Sequence, residues 1–109
     1  MPDCKALTLL GFAAKAGKLS YGMDAAIKTL KSGKAFLAVA AYDVSDKSRK
    51  EIAFFAQKYS VKFLVLERLD IKTVSDAVGR RCGIMSVNDS GFAGAFLKAY
   101  IEGGNANDE

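Results

Sequence analysis

The chain has 109 residues, half of them apolar and only one of them proline, which suits a single folded domain with a real core and excludes a disordered chain. It contains no histidine, so the usual general base near neutral pH and the commonest metal ligand are missing; its two cysteines, Cys4 and Cys82, lie too far apart for a zinc or redox pair. The net charge of +4 falls within residues 1–34, where Lys5, Lys15, Lys18, Lys28, Lys31 and Lys34 face only Asp3 and Asp24.

The N-terminus shows no charged stretch followed by an apolar signal core, and no apolar run approaches membrane-spanning length. A cytoplasmic protein with reduced thiols is expected. Asp3 is placed to cap a helix over about residues 4–16, which Gly17 ends in a left-handed conformation. Leu7, Leu10, Gly11 and Ala14, with Ala6, Leu9 and Ala13 beside them, cover most of its circumference, which predicts heavy burial. Leu19 to Tyr21 reads as a very short strand. A second helix follows from Met23 to Ser32, stopped by Gly33, with Met23, Ala26, Ile27 and Leu30 inward and Asp24, Lys28 and Lys31 outward.

Residues 35–42 (AFLAVAAY) are continuously apolar, the pattern of a central strand covered on both faces, with Asp43 at its carboxyl end. The next helix starts at Ser45 or at Ser48, the latter at capping-box spacing from Glu51, and turns Ile52, Phe55, Ala56 and Tyr59 inward. Residues 61–66 form a second buried strand. Asp70 caps a helix that ends at Val78 before Gly79, residues 83–87 form a third strand, and Ser90 caps a last helix over residues 91–102. The tail, residues 103–109 (GGNANDE), is polar and reads as frayed. The alternation predicts one domain over residues 1–102, an α/β fold: a three-layer α/β/α sandwich around a mixed, largely parallel sheet of about four strands.

Such a sheet places its ligand site beyond the carboxyl ends of its strands. Neither a GxGxxG pattern nor a Walker loop is present, so no nucleotide cofactor is expected. Asp43 would need further acidic residues at an earlier strand end to build a phosphorelay-type pocket. Ser20 and Tyr21 stand there instead, so Asp43 reads as a turn or capping residue. No lysine stands beside Ser86 to activate it, and Asn88, Asp89 and Ser90 read as helix-entry chemistry.

The basic elements remain. Gly22 opens the second helix with free N–H groups among lysines, a geometry suited to phosphate. Lys28 and Lys31 share one helix face, and Lys28 follows Asp24 at the spacing of a weak surface pair. Arg80 and Arg81 come directly after Gly79, in a loop that ends at Gly83, whose bare backbone allows close approach of a partner. Two such loops on one edge of the sheet would make a single basic rim.

In the segments LLGFAAKAGKLSYGMDAAIKTLKSGKA, LAVAAYDVS, SDAVGR and SVNDSGFA, taken in that order, the chain resembles the kink-turn-binding ribosomal-protein family of the L-seven-Ae and L-thirty-e type. Within it, the chain is similar to the short bacterial YlxQ-like members, over about residues 7–99. In that family the second helix opens with Gly-x-Asn-Glu-x-x-Lys, whose polar side chains read sheared G·A pairs and the backbone of a kinked RNA helix. Here Gly22 and Lys28 match, Asp24 replaces the asparagine and Ala25 the glutamate. Asp24 lacks the amide donor and brings negative charge towards phosphates; Ala25 has nothing with which to accept from a guanine edge.

The family's second contact loop matches Arg80 to Gly83. Arginines in place of its usual apolar residues imply electrostatic contact or stacking of guanidinium planes. Asp43 falls where the family also has an acidic residue near the RNA-facing edge. The resemblance thus implies a non-enzymatic, ribosome-associated RNA-binding protein, with ribosomal or other structured RNA as partner. Its contact set would be Lys18, Gly22, Asp24, Ala25, Lys28, Lys31, Asp43, Arg80, Arg81, Cys82 and Gly83. No catalytic residue, metal, cofactor, membrane or small-molecule substrate is implied. The alternative is a protein–protein adaptor that kept the fold and lost specific RNA recognition, a reading that rests on Asp24 and Ala25.

Overall fold

Helices and strands alternate along the computed structural model, which describes residues 3–106: α1 (Cys4–Lys15), β1 (Leu19–Tyr21), α2 (Met23–Lys31), β2 (Leu37–Ala41), α3 (Asp46–Lys58), β3 (Lys62–Leu66), α4 (Ile71–Val78), β4 (Ile84–Val87) and α5 (Ser90–Ala106). The boundaries follow local chemistry. Gly17, Gly33 and Gly79, read as helix stops, all have positive φ. Of the two starts left open for α3, the earlier holds, because the Ser45 hydroxyl accepts from the Ser48 N–H at 3.2 Å.

The sheet has the order β1-β4-β2-β3. It is mixed, as expected, but not largely parallel: β2 and β3 run parallel, whereas β4 is antiparallel to both β1 and β2. Helix length explains the difference. α3 has 13 residues, about 20 Å, and returns the chain to the far end of the sheet before β3 begins. α4 has only 8 and stays at the end where β3 finished, its Ser75 hydroxyl bonded to both the N–H and the carbonyl of Cys82. The chain therefore re-enters the sheet from the side it left. β3 lies at the sheet edge, so Phe63, Leu64 and Val65 are half-buried rather than fully covered as the apolar run implied.

β2 is buried along its whole length, and its alternation divides the core. Leu37 and Val39 join Leu10, Val74 and Phe96 under α1, α4 and α5. Ala38 and Ala40 face Ala26, Leu30, Ile52 and Ala56 of α2 and α3. These are the three layers.

Two expectations at the chain ends give way. Asp3 makes no capping bond to α1. Its carboxylate, 5% exposed, instead accepts from Arg68 Nη2 at 2.9 Å and Nε at 3.1 Å. A nearly buried carboxylate is far costlier left with a neutral partner than paired with a guanidinium. Arg68 stacks on the Tyr100 ring at 3.9 Å and donates to the Tyr100 carbonyl, while its own N–H donates to the Tyr100 hydroxyl. This cluster also explains the tail, where α5 continues to Ala106 instead of fraying at residue 103. Gly103 is buried, and a Cβ at Gly104 would lie 2.7 Å from Arg68 Nη1, so the glycines make room for the arginine. Residues 107–109 of the expected tail lie outside the described residues. α1 buries Ala6, Leu10 and Ala13 fully and packs Leu7, Leu9 and Ala14 partly against the same core, while leaving Phe12 54% exposed.

Candidate nucleic-acid interface

The carboxyl ends of β1, β2 and β3 and the start of β4 meet on one rim of the sheet, as the pairs Tyr21↔Met85, Ala40↔Ile84 and Ala41↔Leu66 require. Three helices begin there. α4 is capped twice: Asp70 Oδ1 accepts from the Thr73 N–H, and Asp43 Oδ1 from the Ile71 N–H, both at 2.8 Å. α3 is capped by Ser45. α2 has no side-chain cap. Gly22 donates its own N–H to the Ile84 carbonyl at 2.8 Å and accepts from the Ala26 N–H at 3.0 Å. The N–H groups of Met23, Asp24 and Ala25 are thus left without a capping side chain at the positive end of the helix dipole.

Arg80 reaches Tyr21, the residue before this opening, with its guanidinium 4.4 Å from the centre of the ring. Partial burial pushes the Tyr21 hydroxyl pKa up, against the pull of the Arg80 charge. Two shallow grooves adjoin here and share Asp43 and Ile71. One, of about 630 Å³, is lined by Ser75, Asp76, Gly79, Arg80 and Arg81; the other, of about 310 Å³, by Gly22, Met23, Ser45 and Gly83. The rim therefore brings together Gly22, Asp24, Ala25, Asp43, Arg80 and Arg81 in the way the sequence anticipated. Lys28 stands exposed just over one turn further along α2.

Other expected contact residues lie elsewhere. Lys18 sits beyond the opposite end of β1, where its carbonyl accepts from the Asn88 N–H at 2.7 Å, about 13 Å of strand away from Gly22. Lys31 is near the far end of α2, its Nζ 6.0 Å from the Phe55 ring centre. Cys82 is buried, its thiol pKa raised by that burial, and both its backbone groups are held by Ser75, so it belongs to the core and not to the surface. Gly83, by contrast, stays at the rim as part of the smaller groove's lining, and its bare backbone is also needed for internal packing: a Cβ there would lie 2.8 Å from Val44 Cγ2 and 2.9 Å from Ile71 Cγ1. Asp24 and Lys28 form no ion pair; among the described residues the pairs are Arg49–Asp46, Arg68–Asp3 and Lys72–Asp76.

Tyr21 is the rim residue that sequence reasoning missed. Its position directly before Gly22 was the only local signal, and the partner that gives it a role is Arg80, across the fold. Asp43 tethers the end of β2 to the start of α4, the capping role read for it.

The chemistry of the remaining groups narrows the site further. Ser86 is fully buried and hydrogen-bonded to Thr29 Oγ1 at 2.7 Å and Asn88 Oδ1 at 2.8 Å, a network that joins α2 to the sheet and offers no nucleophile to solvent. Among the described residues there is no group of three or more acidic or cysteine side chains that could hold a metal ion, and no helix long and apolar enough to cross a membrane.

Known proteins resemble this chain in sequence or in fold. The chain is 29% identical over 99 residues to the RNA-binding protein YlxQ of Enterococcus faecium, a match covering 91% of this chain and 93% of that one. A protein of unknown function from Bacillus halodurans superposes with a TM-score of 0.84 at 24% identity, over 90% of this chain and 98% of the other. The 15.5kD RNA binding protein of Giardia lamblia superposes at 0.70 with 15% identity, over 91% and 84%. At those identities the two structures speak for the fold alone. The sequence profile of the ribosomal protein L7Ae/L30e/S12e/Gadd45 family matches residues 5–91, which span α1 through β4 and the whole rim, and the chain belongs to that family.

Proposed function

We propose that this chain is a non-enzymatic, ribosome-associated protein that binds structured RNA through the rim. The observation that carries the reading is the uncapped start of α2, set between two helix starts that are capped. Family membership and the names of two relatives support it. A phosphate accepts from the N–H groups of Met23, Asp24 and Ala25, Lys28 adds charge one turn along, and Arg80, held over the Tyr21 ring, presents a planar cation to a base or phosphate.

Kink-turn RNA is the first candidate ligand. Phosphate contacts fix register while base contacts specify. Asp24 and Ala25 supply little of the second kind, so we expect affinity that follows RNA shape and charge more than base identity. Titrating the protein with a synthetic kink-turn hairpin and an unkinked hairpin of equal length, from about 50 to about 200 mM salt, tests this. With Lys28, Arg80, Arg81 and the α2 start each engaging a phosphate, log affinity should fall with a slope of about −3 in log salt. Absence of salt-sensitive binding at micromolar protein sinks the proposal. Asp24 and Ala25 also favour the adaptor reading; partner capture that survives both RNase and charge reversal at Lys28 and Arg81 would move the function there.

A further inference from the structure

α2 and α3 both begin at the rim and pack side by side, so their outer surfaces continue the proposed contact down one flank of the molecule. That flank is rich in exposed cations: Lys28 and Lys31 on α2, and Lys47, Lys50 and Lys58 on α3. None of them pairs with a carboxylate among the described residues. Positions 47, 50, 54 and 58 fall on one stripe of α3, about 17 Å long. Within it Phe54 is 60% exposed. Its ring meets that of Phe55 edge-on, at 5.2 Å and 82°, and Lys31 Nζ lies over Phe55, so an ammonium and two aromatic rings bridge the helices.

A polyanion would match these lysines, and a flat apolar partner would match the exposed ring among them. Single-stranded RNA supplies both, phosphates for the lysines and a base for the ring. An acidic protein would meet the charge, but the continuity of the flank with the α2 start, through Lys28, favours the nucleic acid. We infer that an unpaired flank of the RNA held at the rim runs along α2 and α3, its phosphates against Lys31, Lys50 and Lys58 and one base stacked on Phe54. The inference rests on the RNA-binding reading above.

The test compares a synthetic kink-turn hairpin with and without a single-stranded oligo-uridine tail, titrated into the native protein and two variants. The tail should tighten native binding about tenfold, the size of one stacked base. Phe54→Ala should remove most of that gain, and Lys50→Glu with Lys58→Glu the rest, lowering the salt slope for the tailed RNA by about 1.4. Affinity for the tailless hairpin should stay within about twofold, since these residues lie away from the rim. Phe54 is exposed and alanine is the better helix former, so the variant folds, which circular dichroism checks.

A tail that adds nothing to a native protein that does bind the hairpin overturns the inference and leaves the RNA reading standing. So does a gain that survives the variants, or a flank that ignores the tail and takes polyglutamate. Failure to bind either RNA removes both readings.

Discussion

Two kinds of helix start share the rim. α3 and α4 open on Ser45 and Asp70, each of which accepts from the N–H three residues along. α2 opens on Gly22, which has no side chain to offer and holds a backbone, φ 88° and ψ 169°, that is essentially reserved for glycine. At α3 and α4 the chain supplies a side-chain cap; at α2 the glycine gives up only about a few tenths of a kcal/mol relative to such a cap and keeps the donors open. On the proposed reading, the difference divides the rim between structural and ligand-facing helix ends, and that division can be broken experimentally.

The largest effect is expected at Gly22. Gly22→Val meets no atom within 4 Å of its new Cβ, so any loss comes from backbone strain alone, at about 2 kcal/mol. Urea denaturation should show that loss, and RNA binding should fall with it. Unchanged stability would mean that α2 does not need its glycine opening. Next comes Lys28→Glu, which should weaken the kink-turn hairpin about tenfold and flatten the salt slope by about 1 while leaving the denaturation midpoint in place.

Ser45→Ala should do the reverse: about 1 kcal/mol of stability lost, with RNA affinity retained. A drop in affinity there would merge the two kinds of helix end into one.

The smallest effect sharpens the comparison through pH. Thr73, through its side chain and its N–H, holds the Asp70 carboxyl below its ordinary pKa. A native pKa lower than the unfolded one contributes stability above the unfolded value and loses it as pH falls through the folded value, in the acid range. Asp70→Asn keeps an equally good cap but removes the titration. The stability gap between the native protein and this variant should therefore shift between neutral pH and strong acid, as paired denaturation curves would measure. A gap that stays constant across that range counts against the carboxylate as the titrating cap.

Much of the fold was legible along the chain. The glycine stops at 17, 33 and 79, the Asp70 cap, the inner stripe of α2 and the buried run of β2 all depend on residues within a turn or two of each other. The α2 opening and the Arg80-Arg81 loop were legible for the same reason, and the structure brings both to one rim. Lys18 lies off the rim because the short strand β1 separates it from Gly22. Cys82 enters the contact set only through the family's loop, whereas Ser75 pins that residue inward to the core. Tyr21 went unseen because its partner is Arg80.

The sequence by itself determined the element order, the glycine stops of α1, α2 and α4, the layered class and the bare glycine start that singles out α2. Those properties are set by backbone conformation and hydrogen bonds between near neighbours. Only the tertiary structure decided that β4 runs against its neighbours, that Asp3 leaves its helix for Arg68 and that Tyr21 carries Arg80. Each depends on which distant segments are brought together when the apolar faces close on one another, and on a buried charge or ring taking the best partner that closure provides.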